Sequence, residues 1–592
     1  MNKLEFDTLR LLRDLTPSNQ RQMSSRLQVS LGLINKIIQN LKLQHLITDE
    51  YKLTSAGISL LDESKPRNAI ILAAGYGLRM VPINQTKPKA LLSIAGKPLI
   101  ERLIEQLHEV GVKDIVIVVG YLKEMFEYLI DKYGVTLIYN KHYSEKNNLY
   151  SLACATAFIG NSYICPCDLY CRVNPFNQYE LPSWYLVNDS LKSESYMHVS
   201  SMQEIKYNKK KNIGNIPIGI AFISKQDSEL LVSAIKKCCM DVKYKDSFWE
   251  DALFSSGIFV NAKIVGVNDI IEINSYEDLR DLDSYSEELK NESISVICGT
   301  LNCRIEDIHY ISTLKKGMTN RSYSFMVNDN KYIMRIPGEG TSDLIDRKNE
   351  QIVYSTIKGK NICDDLIYIN AKNGMKISRF IQNARCCDPY SVNDLKQCML
   401  KLRDFHSMKI QVKHEFDIFS KINFYESLWN DAPMFYDYEL TKKNCLSLKP
   451  FIESLKSEWC LTHIDAVPDN FLFYTDANTK KIKVQLIDWE YAAMQDPHVD
   501  IAMFCIYALY DEKKYIDRLI NIYFENSCQP IIRTKIYCYI SICGLLWSNW
   551  CQYKQQLGVE FGEYSLKQYR YAKEYYKIAK KEIELLSHSQ LV

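Results

Sequence analysis

No run of 18 or more apolar residues is readable in the sequence, so no helical membrane span is expected. The opening MNKLEFDTLR lacks the basic start and apolar stretch of a secretory signal, and the expected compartment is the cytoplasm. Net charge is almost absent too: 73 Lys and Arg stand against 71 Asp and Glu, so a nucleic-acid or anionic-membrane partner would have to be met by a local patch. The 19 cysteines never adopt the repeated Cys-x-x-Cys spacing of a zinc site. They read as reduced core thiols, the pairs Cys165/Cys167 and Cys386/Cys387 included. There is no convincing repeat and no low-complexity tract. What the chain has is length: 592 residues exceed one core, and 47% hydrophobic with 24% charged residues suits several ordinary globular domains.

Residues 1–64 have the texture of a small helical module. Leu31, Ile34, Ile38 and Leu41 share one face of a helix. Residues 22–27 precede it as a shorter helix, residues 28–30 turn, and HLITDEYKLTSAG follows as a two-stranded wing. This order resembles the winged helix-turn-helix of bacterial regulators, which implies Asn35, Lys36, Gln39 and Lys42 as the exposed face of a recognition helix. Eight Lys and Arg against seven Asp and Glu are thin for an interface that neutralises several phosphates. A docking or dimerisation role, with a homodimer as its simplest form, therefore ranks ahead of nucleic-acid binding.

From residue 65 short apolar runs alternate with amphipathic helices, which predicts an α/β domain with a parallel sheet over 65–285. Residues 69–92, AIILAAGYGLRMVPINQTKPKALL, read as a buried strand, a glycine loop and a Pro-Lys element. Gly75 and Gly77 let backbone approach a triphosphate, while Arg79 and Lys89 bring positive charge to leaving pyrophosphate. The string resembles the signature of the nucleotidyltransferases that make sugar nucleotides and CDP-alcohols. That resemblance implies a Rossmann-like, GT-A-like fold, with Leu72, Ala73, Ala74, Gly75 and Gly77 gripping the nucleotide and Lys89 stabilising the transition state. It also implies a magnesium ion on Asp168 in YICPCDLY. The second ligand falls at Asn274 in IIEINSYEDL, where many relatives have aspartate, and Asp246 and Glu250 are rivals for it. IERLIEQL, VVGYLKEMFEYL, NNLYSL and FWED resemble the bacterial phosphocholine cytidylyltransferases in particular. The implied substrates are CTP, near Asn148 and Ser151, and phosphocholine, its trimethylammonium facing Phe248 and Trp249 by cation–π attraction. Trp249 as a core residue is an equal reading.

After the polar join SYSEELKNES, residues 286–592 turn strand-rich and then helical. LTHIDAVPDN at 461–470 and VQLIDWEY at 484–491 form His-x-Asp-x-x-x-x-Asn, a strand and a further Asp. In phosphoryl transfer such an Asp465 handles the attacking hydroxyl while Asn470 and Asp488 hold magnesium on ATP phosphates. His463 reads as a brace for the loop, and Asp496 and Asp500 as supports for the loop after Asp488. Arg335 stands where protein kinases have the β3 lysine, and Glu350, 15 residues on, is its expected ion-pair partner. No Gly-x-Gly-x-x-Gly precedes it, so Gly317, Thr319 and Asn320 are the expected phosphate loop. Together with RIPGEGTSDLIDR, IDWEYAAMQDPHVDIA and WSNW, these features resemble choline kinases, with a two-lobed protein kinase-like fold. Trp547 and Trp550, Phe561 and Tyr564, and Tyr491 then become the aromatic wall of a choline pocket.

The expectation is a multidomain α/β and α+β chain of winged helix, nucleotidyltransferase and kinase. It would phosphorylate choline with ATP and then convert phosphocholine to CDP-choline with CTP. The rivals are an enzyme acting on ethanolamine or a sugar phosphate, and a DNA-binding regulator that senses choline and nucleotide.

Overall fold

A computed structural model describes residues 3–14, 19–193, 195–200, 203–208, 213–314, 320–338, 340–341, 343–455, 458–476, 479–559 and 561–589. The chain divides into two compact units, Met1–Ile294 and Ser295–Val592.

The first unit is built on a seven-stranded sheet. In spatial order its strands are Asn261–Val265, Trp184–Ser193, Ile213–Ile223, Ser162–Pro166, Asn68–Ala73, Asp114–Val119 and Thr136–Tyr139. Asn68–Ala73 is buried at every position because both sheet faces are covered, which is why it reads as one apolar run. Alternate residues serve two cores: Ala69 and Ile71 pack with Leu103 and Ile117, whereas Ile70 and Leu72 pack with Leu149 and Trp249. The expected parallel sheet proves mixed, since Ile213–Ile223 runs antiparallel to both its neighbours. This strand continues past the sheet beside Trp184–Ser193, and the two shape a cavity described below.

Residues 1–64 contribute the helices Lys3–Asp14, Gln20–Leu27, Leu31–Leu43 and Ser55–Glu63, with one bridge, Ile47 to Leu53, at the expected wing. Asn19, Ser30 and Thr54 each accept a backbone N–H as N-caps, so the sequence starts three of these helices explicitly. Ile34, Ile38 and Leu41 are buried as expected and Ile37 joins them. Leu31, the first residue of its helix, is exposed because it precedes the turn that meets the core. Asn35, Lys36 and Gln39 face solvent, but Lys42 is tied to Asp49 at 3.0 Å. These helices do not stand apart as a compact body. Their core takes in Tyr179, Glu180 N donates to Ser64 O at 3.0 Å, and Lys3 Nζ donates to Gln203 Oε1 at 3.2 Å. Residues 286–294 likewise belong to the first unit rather than to a linker: Leu289 is buried and its carbonyl accepts from Tyr276 OH at 3.1 Å.

The second unit begins with a five-stranded antiparallel sheet, ordered His309–Thr313, Asn320–Val327, Asn330–Pro337, Lys376–Arg379 and Leu366–Ile369, with the helix Arg347–Ile357. A helical part follows, organised around Pro530–Gln556. That helix is buried along most of its length against Glu563–Ser589 and its neighbours, so it has no polar face to advertise. No helix among the described residues is long and apolar enough to cross a membrane.

Candidate active sites

The glycine loop after Asn68–Ala73 converges on two later segments. Gly77 sits at φ 58, and a Cβ there would lie 3.2 Å from Lys89 Cβ, so glycine lets the loop close on the lysine. Lys89 Nζ meets Asp168 Oδ2 at 2.5 Å and donates to Asn274 Oδ1 at 3.0 Å; Arg79 Nη2 donates to that same Asn274 oxygen at 3.0 Å. The backbone bond from Ile273 N to Asp168 O, 2.9 Å, holds the two segments in register. They border a cavity of about 630 Å³ lined also by Leu72, Ala74, Gly75, Asn148 and Ser151. Asp168 Oδ1 is buried and accepts no hydrogen bond. A bare carboxylate oxygen beside an amide oxygen suits a hard divalent cation that takes its other ligands from phosphates and water.

A second cavity, about 500 Å³, shares Arg79, Asn148, Asp168 and Phe248 with the first. Its own wall is aromatic and acidic. Tyr185 OH donates to Glu250 Oε1 at 2.9 Å and Tyr207 OH to Asp251 Oδ1 at 3.1 Å. Burial pushes the Glu250 carboxyl up to about 7, with the like charges of Asp251 and Glu272 adding to it. Such a wall attracts a cation that carries no hydrogen-bond donor.

In the second unit the strand Cys460–Thr462 leads into His463 and Asp465. His463 is buried, and burial pushes its pKa down to about 4, so the ring is neutral near pH 7; Nε2 lies 3.0 Å from Ile487 O. It braces the loop. Asp500 accepts from His463 N at 3.0 Å and Ile464 N at 2.7 Å, which supports the loop before Asp465 rather than the one after Asp488. Asp496 instead pairs with Lys535 at 2.7 Å. Asn470 Nδ2 donates to Asp465 Oδ2 at 2.9 Å. Burial, followed by the charges of Asp488 and Glu490, holds the Asp465 carboxyl well above the usual range. Asp488 Oδ1 is buried without a hydrogen bond, its cationic neighbour being Arg335 Nη1 at 3.5 Å. This pairing of an amide with a bare carboxylate again fits a magnesium ion on substrate phosphates. Arg335 meets Glu350 with both ends of its fork, at 2.6 and 2.8 Å.

The five predicted aromatics form one continuous wall. Ring centroids lie 6.0 Å apart for Tyr491 and Trp547, 6.5 Å for Trp547 and Trp550, 5.4 Å for Trp550 and Phe561, and 6.1 Å for Phe561 and Tyr564. Burial and then charge, Asp465 among the sources, raise the Tyr425, Tyr491 and Tyr564 hydroxyls.

Comparison with known proteins assigns both units. Residues 69–175 match the MobA-like NTP transferase domain, and residues 311–538 match choline/ethanolamine kinase. The choline-phosphate cytidylyltransferase of Streptococcus pneumoniae is 37% identical over 232 residues, 38% of this chain and 99% of that protein. The chain belongs to the choline-phosphate cytidylyltransferase family. Its kinase unit is similar to protein LicA of Haemophilus influenzae, 25% identical over 261 residues, 42% of this chain and 95% of that one. The crystal structure of choline kinase LicA from Streptococcus pneumoniae is 26% identical, covers 48% of this chain and 98% of that one, and has a TM-score of 0.43.

In the cytidylyltransferase unit two expectations need correcting. Trp249 is only 1% exposed and packs on Tyr185 within the core, because the start of its helix is pinned by Trp249 N donating to Asn148 Oδ1 at 2.9 Å. Phe248, the residue before, takes the cavity wall. Ala73 is buried in its strand beneath the loop. Of the rival metal ligands, Asp246 lines the first cavity and Glu250 is engaged by Tyr185. Sequence reasoning did not single out Tyr185 and Tyr207, on strands without a motif of their own, or Asp251 and Glu272, which stand inside the FWED and IIEINSYEDL strings with no expected role there. In the kinase unit it missed Tyr425, Glu490 and Arg347. Asn320 donates to Glu490 Oε2 at 2.9 Å, while Gly317 and Thr319 lie outside the described residues.

Proposed function

We propose that the kinase unit transfers the γ-phosphoryl group of ATP to choline and that the cytidylyltransferase unit transfers CMP from CTP to the resulting phosphocholine, releasing pyrophosphate. One observation carries this reading. Two unrelated folds each join a phosphate-handling centre to a wall of aromatic rings and carboxylates, which is what one quaternary ammonium, met twice, requires. Asp465, held between burial and its Asn470 hydrogen bond, would take the choline hydroxyl proton; Arg335, pinned by Glu350, sets the nucleotide-facing strand. The wall from Tyr491 to Tyr564 holds the ammonium. In the other unit Lys89 and Arg79 face the triphosphate and stabilise charge on the departing pyrophosphate. Tyr185, Tyr207, Glu250 and Asp251 face the trimethylammonium, with Phe248 at the mouth. Magnesium would be held by Asn470 and Asp488 in one site and by Asp168 and Asn274 in the other, where it neutralises phosphate charge.

The test mixes the chain with choline, ATP, CTP and magnesium and follows both products. Asp465→Ala should give CDP-choline only from supplied phosphocholine, and Lys89→Ala should stop at phosphocholine. Faster turnover of ethanolamine or a sugar phosphate than of choline and phosphocholine would overturn the substrate assignment.

A further inference from the structure

Arg347 opens the helix Arg347–Ile357, and no role in the reaction follows for it from the kinase motifs. It is 7% exposed, and its Nη1 donates to two carboxylates at once: Glu350 Oε2 at 3.0 Å and Glu490 Oε2 at 3.1 Å. Glu490 Oε2 also accepts from Asn320 Nδ2 at 2.9 Å and Arg335 Nη1 at 3.3 Å. One oxygen therefore gathers donors from the start of the strand Asn320–Val327, from the strand Asn330–Pro337 and from the helix. Glu490 lies two residues past Asp488, so this oxygen ties the candidate metal-holding segment to all three. Room for the arginine is built in. Gly374 is at φ 68, and a Cβ there would fall 2.7 Å from Arg347 Nε and 3.0 Å from its Cδ.

Charge makes the clamp more than a packing contact. Glu350, Glu490 and Asp488 put three carboxylates around Arg335. With Arg347 removed, Glu490 and Asp488 would be left to Arg335, which together with buried Lys376 already serves Glu350, where a polyanionic nucleotide must also come to rest, and a buried charge stripped of its partner is strongly unfavourable. The carboxylates would relieve this by swinging apart, which displaces Asp488 and Arg335.

We propose that Arg347 is a positioning residue for phosphoryl transfer: it locks Glu350 to Glu490 and so keeps the Arg335–Glu350 pair aligned with Asp488. This rests on the kinase reading above. The test uses the full chain with Arg347→Met and Arg347→Lys. Four quantities are measured: KM and kcat for MgATP in choline phosphorylation, the magnesium concentration for half-maximal rate, binding of a fluorescent ATP analogue without choline, and thermal unfolding. CTP-dependent turnover of phosphocholine in the same samples serves as the folding control. Arg347→Met is expected to lower kcat/KM for MgATP by about 10- to 100-fold, to weaken analogue binding and to raise the magnesium requirement. Arg347→Lys, which keeps the charge on a shorter side chain with a different donor geometry, should fall between wild type and Arg347→Met, and cytidylyl transfer should be unchanged. If Arg347→Met unfolds the kinase unit, Arg347→Lys carries the same comparison. Wild-type analogue affinity and magnesium dependence in a variant that has lost only melting temperature would overturn the proposal. If the wild type phosphorylates no choline, the kinase reading fails separately, while analogue binding still decides the clamp.

Discussion

The aromatic cluster of the kinase unit takes Trp547 and Trp550 from the helix Pro530–Gln556, Tyr564 from the helix Glu563–Ser589 and Phe561 from the turn just before the latter, so all four lie close together in sequence and the helical spacing of the two tryptophans is visible. The wall of the cytidylyltransferase unit comes from the strand Trp184–Ser193, the strand Ile205–Tyr207 and the start of the helix Trp249–Ser255. Tyr185 lies on the seven-stranded sheet and Tyr207 on a separate two-stranded one, and only the tertiary fold brings both to one cavity. The contrast shows that an aromatic cluster is readable when positions close in sequence supply it, and hidden when tertiary structure assembles it from separate segments.

The largest effect that would break this comparison is at the acids and bases. Asp465→Ala should cost about 10²- to 10⁴-fold in choline phosphorylation and leave phosphocholine turnover intact, as read by the separate product assays. Lys89→Ala should cost about 10²- to 10³-fold in cytidylyl transfer alone. Next come the two tryptophans, which sharpen it. Trp249→Ala should destabilise the first unit by about 3–5 kcal/mol, as a core truncation does, seen as a lowered melting transition. Trp550→Leu should raise KM for choline about 3- to 30-fold, the range of one lost cation–π face, with no comparable change in KM for ATP. The smallest effect is on pH. Glu250, with its carboxyl raised to about 7, is ionised above that pH and neutral below it. Attraction for the ammonium should therefore weaken as pH falls through 7, raising KM for phosphocholine by up to about tenfold between pH 8 and 6. Glu250→Gln should flatten that dependence, and an unchanged slope would remove Glu250 from the cage.

Much of both centres was legible in sequence. Lys89, Arg79, Asp168 and Asn274 meet within hydrogen-bonding distance, as do Asp465 with Asn470 and Arg335 with Glu350; each residue stands in a string readable by itself, although only Asp465 and Asn470 share one local loop and the first set is brought together by tertiary structure across 79 to 195 positions. Trp249 was not decidable, since adjacent residues at a helix start point in different directions and only packing chooses between Phe248 and Trp249. Glu490 and Arg347 were hidden for another reason: an ion pair between residues 143 positions apart leaves no periodicity. The parallel sheet was over-read because apolar runs report burial and not strand direction. The independence expected of residues 1–64 failed at Tyr179, an aromatic from the sheet unit that completes their core.

The loop that carries Asp465 has one more consequence. Ile464, a β-branched residue, is held at φ 67, a left-handed conformation such side chains avoid. Two backbone N–H groups anchored on buried Asp500 keep it there. The Ile464 side chain is itself fully buried in the core of the unit, so the packing that would be lost on truncation to glycine outweighs the strain relieved, and the core holds the catalytic loop in a shape its own backbone disfavours.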